Sequence, residues 1–207
     1  MKKFQIVGIG NAMVDVLTRG DELFLAEAGI EKGIMQLIDM DRAVSLYGAI
    51  GPAKEISGGS AANTIAGIAH LGGRTAYVGK VKDDQLGAIF AHDLRAQGAV
   101  YETSLAPKSA EQETGRCIVI VTPDGERTMN TFLGAGQFLP AAALDESLIA
   151  SGAILYLEGY LWDPEEPRRA MRRAIEVARD AGRKIAFTAS ESFVIDRHGE
   201  DFRAMIE

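Results

Sequence analysis

Glu55-Ile56-Ser57-Gly58-Gly59-Ser60-Ala61-Ala62-Asn63-Thr64-Ile65-Ala66-Gly67-Ile68-Ala69-His70-Leu71-Gly72-Gly73 opens on two glycines, passes through Ser60 and Asn63, and continues as a run of small apolar residues. Ala62, Ile65, Ala66 and Ala69 recur at the spacing of one helix face. Gly72 and Gly73 then end the helix, as glycine does where the backbone turns left-handed. Gly58 and Gly59 carry no Cβ, so a ligand can approach the main chain closely. The free N–H groups of a helix start point at such a ligand. Asn63 lies three residues into the helix, and its amide can donate to and accept from a hydroxyl. Together these features suit a polyol. A plain glycine turn before a packing helix has the same pattern, so the rest of the chain decides between them.

The 207 residues are enough for one domain with a sizeable core, or one domain and a small appendage. At 47% hydrophobic and 25% charged the composition is that of an ordinary globular protein. The formal net charge is −7, which argues against a polyanion such as nucleic acid as main partner. The densest basic cluster, Arg168-Arg169 with Arg172-Arg173, has the spacing of a solvated helix face. Cys117 is the only cysteine, so there is no internal disulfide, and its apolar neighbours Ile118 to Val121 mark it as a core residue. His70, His92 and His198 share no ligand spacing, and no protein-bound metal site is assigned. The N-terminal apolar run is too short for a signal peptide, and no stretch approaches a membrane span. A cytoplasmic protein is expected.

Taken in order, Phe4 to Ile9 is a buried strand that turns at Gly8-Ile9-Gly10-Asn11. A dinucleotide fingerprint fails here, because Met13 stands where its third glycine is needed. A P-loop fails at Gly79-Lys80, which Val81 follows. In the extended stretch after Asn11 the alternation Met13, Asp15, Leu17 puts Asp15 on a ligand or a solvent side. A carboxylate there can accept from two neighbouring hydroxyls of a diol. Residues 21–29 and a segment capped by Asp39 or Asp41 are expected helices, with a short strand over 33–38 between them. Strand 74–78, helix 85–97, strand 153–157, helix 165–181 and strand 184–188 set a β–α rhythm that implies a parallel sheet with helices on its faces. A hairpin over 115–132 turns at Pro123-Asp124-Gly125-Glu126. The segment Gly199 to Glu207 reads as a last helix without a C-cap.

Asn11 with Asp15, then Gly58-Gly59-Ser60-Ala61-Ala62-Asn63, then Gly72-Gly73 leading to Val78-Gly79-Lys80-Val81-Lys82-Asp83-Asp84-Gln85-Leu86-Gly87, form one ordered pattern. It resembles the phosphofructokinase-B (ribokinase-like) family of sugar and nucleoside kinases along essentially the whole chain. Gly33-Ile34-Met35-Gln36-Leu37, Thr131 to Gly136 and Tyr156 to Tyr160 are most similar to its adenosine kinase branch. The resemblance implies an α/β fold, a doubly wound and mainly parallel sheet with helices on both faces. It also implies a small β lid from 12–20, 33–38 and 115–133. By the same resemblance Asp15 takes the ribose hydroxyls, Gly58, Gly59 and Asn63 complete the clamp, and Asn11 supports it. Gln36, Leu37, Leu133, Ala135 and Tyr160 are expected near the base.

The family's second signature, Asp-Thr-x-Gly-Ala-Gly-Asp, which supplies the base aspartate, is absent from these residues. Gly134-Ala135-Gly136-Gln137 imitates it, but a glutamine accepts no proton at neutral pH. No asparagine here begins the family's Asn-x-x-Glu element either. The expectation is therefore the substrate-binding portion of a truncated kinase, inactive as 207 residues. The intact protein is expected to use ATP and Mg²⁺ to phosphorylate adenosine at its primary hydroxyl. Two alternatives stand beside it: a kinase of a free sugar such as ribose or fructose, and a non-catalytic ligand-binding module. Lids of this family can serve as dimer interfaces, so a homodimer through the lid falls within the expectation.

Overall fold

A computed structural model describes residues 3–206, which leaves Glu207, the end of the expected last helix, outside the described residues. The chain runs β1 (Phe4–Ile9), β2 (Met13–Arg19), α1 (Glu22–Glu27), β3 (Met35–Leu37), α2 (Met40–Ala49), β4 (Ala53–Gly58) and α3 (Ser60–His70). It continues through β5 (Thr75–Val78), α4 (Gln85–Ala96), β6 (Val100–Tyr101), β7 (Gly115–Val121) and β8 (Arg127–Phe132). The last part is α5 (Glu146–Ser151), β9 (Gly152–Glu158), α6 (Glu165–Asp180), β10 (Lys184–Thr188) and α7 (Ser192–Ile206). Aspartates placed just before helices act as their caps: Asp21, Asp39, Asp84 and Asp145 each accept a first-turn N–H. Glycines at positive φ close α3 (Gly72, +85°), α4 (Gly98, +93°) and α6 (Gly182, +65°).

The strands form two five-stranded sheets. In the first, ordered β10-β9-β1-β5-β6, every pair is parallel. β1 is central and buried except at Gln5, as an apolar strand covered on both faces must be. One face packs Ile6 with Ile65 of α3 and Phe90 and Leu94 of α4. The opposite face packs Val7 and Ile9 with Ile149 of α5, Ala174 and Ile175 of α6, and Val194 and Phe202 of α7. The sheet is therefore doubly wound. The strand order reverses around β1, and crevices at the carboxyl ends of strands beside such a reversal are where these folds take ligands.

The second sheet, ordered β3-β8-β7-β2-β4, is mixed: β2 runs parallel to β7 and antiparallel to β4, and β8 antiparallel to β7. Its period-2 alternation divides its residues cleanly. Val14, Val16, Ile118 and Ile120 face the core under Leu25 and Leu46, while Met13, Cys117, Val119 and Met129 form a smaller cluster on the other face. β4 joins this sheet as an edge, a pairing that its short sequence did not signal.

One boundary differs from those read in the sequence, and α5 and β6 were not read there at all. The last helix begins at Ser192, because Val194 and Phe202, eight residues apart, both enter the core on one helical face. The apolar run Phe193-Val194-Ile195 has strand-like composition and masked that start. β6, a two-residue strand on the sheet edge, is too short to produce a periodic signal.

Asp84 joins a helix cap to the second sheet. Its Oδ1 accepts from Gly87 N–H at 2.8 Å and Thr114 Oγ1 at 2.7 Å, and its Oδ2 from Thr114 N–H at 2.9 Å. Asp84→Ala is expected to lower stability in urea unfolding by about 2–4 kcal/mol, the sum of a lost cap and lost charge-assisted bonds.

Candidate functional site

The carboxyl ends of β1 and β9 lie side by side, with Ile9 opposite Leu157. The next residue of β9 is Glu158, fully buried. Its Oε1 accepts the Asn11 N–H at 2.6 Å and its Oε2 the Ala61 N–H at 2.7 Å. Gly59, the residue before α3, offers no side-chain cap. The buried carboxylate therefore satisfies a first-turn N–H that would otherwise be orphaned, and it sits at the favourable end of the helix dipole. Burial raises the Glu158 carboxyl to about 7, against the pull of the two N–H groups. Gly10 makes room for it, since a Cβ there would lie 2.6 Å from the carboxyl carbon.

The glycine pair has a steric explanation beyond ligand approach. A Cβ on Gly58 would stand 2.2 Å from the Asp15 carboxyl, its neighbour across the β2–β4 pair. Gly59 has φ +102°, and a Cβ on it would stand 2.4 Å from the Asn11 carbonyl oxygen. Both glycines thus let two polar side chains and a helix N-terminus share one corner. Burial alone lifts the Asp15 carboxyl to about 6, with no hydrogen bond among the described residues to offset it.

A cavity of about 200 Å³ opens at this corner. Asn11, Asp15, Leu37, Gly59, Asn63, Leu133 and Tyr160 all line it. Three residues expected there do not. β3 turns Met35 and Leu37 to the cavity, so Gln36 faces away and donates from Nε2 to Asn130 Oδ1 at 2.6 Å. Ala135 is buried in the one-turn 3-10 helix Gly134–Phe138, where its N–H donates to Glu113 O at 2.8 Å. Gly58 lies behind Asp15 and acts through the space it leaves. The Gly134-Ala135-Gly136 run is a close-packed turn, in which a Cβ on Gly136 would lie 2.9 Å from Asn11 Oδ1.

Sequence reasoning missed Glu158, Met13, Met35, Ser60, Cys117, Met129, Thr131, Asp163 and Phe193 among the lining residues. Met13 with Asp15, Met35 with Leu37, and Met129 with Thr131 follow the strand alternation and were recoverable from it. Glu158 carried a weaker signal, a carboxylate ending a buried strand. Asp163 and Phe193 reach the cavity from separate segments and carried none. The Cys117 thiol is pushed up to about 12 by burial, which suits a wall and not a nucleophile. A larger open cleft of about 620 Å³ adjoins and shares Leu37, Thr131 and Leu133.

Among the described residues no group of three or more His, Cys, Asp or Glu side chains could hold a metal ion. No described helix is long and apolar enough to cross a membrane.

A doubly wound sheet with a polar cavity at its switch point, flanked by a second sheet, is the frame of a small-molecule site. Residues 35–203 match the pfkB family carbohydrate kinase profile. The chain belongs to that family, and its fold is ribokinase-like. It is similar to the adenosine kinase from Sinorhizobium meliloti, at 48% identity and TM-score 0.89 over 98% of this chain and 62% of that one. A probable sugar kinase protein from Rhizobium etli is 45% identical with TM-score 0.89, covering 98% of this chain and 61% of that one. Fructokinase-2 of Solanum lycopersicum is 33% identical over 132 residues, 63% of this chain. The chain spans about two fifths of that fructokinase's length, the matched share being 40%.

Two of the cavity's carboxylates, Asp15 and Glu158, differ in what holds them. Asp15 is raised from 3.8 to about 6, so folding becomes less favourable as pH rises between those values and stays so above. Asp15→Asn is expected to raise unfolding stability by roughly 1–3 kcal/mol near pH 8, the gain vanishing near pH 4. Glu158→Ala is expected to lower it by about 2–5 kcal/mol, because two buried N–H groups lose their partner. Thermal melts at the two pH values check both; an unchanged Asp15→Asn melt near pH 8 would show that the carboxylate is better solvated than its burial implies.

Proposed function

We propose that this chain is the substrate-binding portion, over residues 1–207, of an ATP-dependent kinase that phosphorylates a nucleoside at its primary hydroxyl, with adenosine the substrate and AMP the product. The observation that carries this reading is the pairing of two surfaces in one cavity. Asn11, Asp15, Asn63 and the Gly59 backbone form a polar corner, while Leu37, Leu133, Met129, Tyr160 and Phe193 add an apolar and aromatic wall. A polyol with an attached planar heterocycle matches both.

In this reading Asp15 accepts from two ribose hydroxyls, and its lack of a hydrogen-bond partner among the described residues leaves both oxygens available. Asn63, on the exposed first turn of α3, donates to and accepts from the same diol. Glu158 holds the loop bearing Asn11 to the α3 N-terminus and so keeps the corner in shape. The second sheet, with segments near 12–20, 33–38 and 115–133, serves as a lid whose closure keeps water from the reacting hydroxyl. ATP supplies the phosphoryl group in this reading, with Mg²⁺ as its companion ion. The reaction belongs to cytoplasmic purine salvage, and a dimer through the lid is compatible with it.

The fructokinase and probable sugar kinase relatives favour a second reading, the same chemistry on a free sugar. The absence of the second family signature from these residues favours a third, a ligand-binding module.

ATP-dependent phosphorylation of adenosine, ribose and fructose, assayed with this chain extended to the end of its reading frame, separates the three. Turnover of adenosine alone is expected. Turnover of a free sugar alone moves the substrate, and binding without turnover supports the module. In the same assay Asp15→Asn and Asn63→Ala are each expected to raise the nucleoside KM by about tenfold or more, the effect of losing a hydrogen bond to a charged or paired group. An unchanged KM and kcat in both variants would remove the clamp assignment.

A further inference from the structure

The α7 side of the cavity holds a group of charged residues that the ribose clamp leaves unused. Asp163 lines the cavity together with Tyr160 and Phe193. It follows the 3-10 turn Gly159–Trp162 at the end of β9, whereas Phe193 lies in the first turn of α7. Two side chains of α7 converge on the Asp163 carboxylate. His198 Nε2 lies 2.6 Å from Oδ1, and the Arg197 guanidinium donates to Oδ2. Arg197 also sits over the Phe193 ring, 4.9 Å from its centroid, and that ring is 6.3 Å from Tyr160.

The entry to α7 is tied to the same wall. Ser190 has φ +68°, the one positive φ outside glycine among the described residues. Its Oγ accepts the Tyr160 N–H at 3.2 Å. Backbone strain of this kind is retained where the surroundings over-determine it, which is commonest at functional sites. The strained turn and the ion pairs both fix α7 against Tyr160 and Asp163.

Each Asp163 oxygen is engaged once by α7, and the side chain is still 29% exposed. A carboxylate oxygen offers two acceptor positions, so one on each oxygen is left. A carboxylate accepts and does not donate, so a ligand group that meets it must carry a hydrogen. Tyr160 and Phe193, which flank it, suit the faces of a planar ring. We propose that Asp163 is a specificity-determining residue that accepts a hydrogen bond from an amino group on the heterocycle of a bound nucleoside, with His198 and Arg197 as its positioning residues. This rests on the nucleoside reading above and assigns the residue that reads the amino group of its base.

Calorimetric titration of the 207-residue chain with adenosine, purine riboside (which lacks only the exocyclic amino group) and ribose tests it. The wild type is expected to bind adenosine about tenfold or more tightly than purine riboside, the effect of one hydrogen bond to a charged acceptor. Asp163→Ala is expected to bring the two within about twofold of each other while the purine riboside affinity holds. Asp163→Asn, isosteric and uncharged, is expected to show the same loss and carries the test if the alanine variant does not fold. His198→Ala is expected to lose most of the discrimination, and His198→Gln, which keeps an N–H donor, to restore it. A merely structural role for α7 would weaken both nucleosides equally and show no such rescue. Discrimination that is absent in the wild type, or that survives in both Asp163 variants, overturns the proposal while nucleoside binding upholds the site. Binding of ribose without either nucleoside overturns the nucleoside reading and this proposal together.

Discussion

One buried carboxylate holds the site together. Glu158 reaches from the end of β9 to the Asn11 and Ala61 N–H groups, which lie 147 and 97 residues away in the chain. Three segments meet there: the loop leaving β1, the start of α3 and the carboxyl end of β9. A neutral side chain could not do this equally well, because two donors need two acceptors and an ionised carboxylate provides both without a competing donor. Its burial raises the carboxyl to about 7, so the connection is made against a desolvation cost. Buried polar groups of this kind are tolerated when their partners are in place and are costly when one is lost.

The second sheet depends on the same corner. β2 begins two residues after Asn11, and β4 ends in the glycine pair that leads into α3. Their antiparallel pairing, with Met13 opposite Gly58, fixes the sheet where the cavity opens. Side-chain space sets the glycines. Asp15 occupies the volume that a Gly58 Cβ would need, and Asn11 O the volume that a Gly59 Cβ would need. A corner this crowded with backbone has little room for a larger residue, while the face of the sheet beyond it is apolar.

Asp15 and Glu158 illustrate two relations between function and stability. Glu158 is buried and bonded, so it organises the fold. Asp15 is partly buried and has no hydrogen-bond partner among the described residues, so it burdens the folded state until a ligand brings donors. Sites that bind hydroxyls need acceptors left free in this way, and a well-satisfied core does not provide them. Asp163 lies between these cases, with α7 engaging one side of its carboxylate.

Much of the fold was legible in the chain. The β–α rhythm from Phe4 to Thr188, the glycine stops, the aspartate caps and the Asp124-Gly125 hairpin turn depend on local sterics and on periodicity, which neighbouring residues express by themselves. Asn11, Asp15, Gly59 and Asn63 were singled out through the family resemblance, and the structure brings all four to one cavity. Gln36 and Ala135 lie outside that cavity: which way a strand presents its alternate residues depends on its partner, and β3 gains its direction only from β8. Glu158, Asp163 and Phe193 were out of reach because their roles come from contacts across distant segments. The sequence by itself determined the order of elements, the family pattern and the polar corner's residues. Only the tertiary structure decided which carboxylate is bonded, which is left free, and which helix closes the aromatic wall, because burial and partnership are properties of packed neighbours and not of chain position.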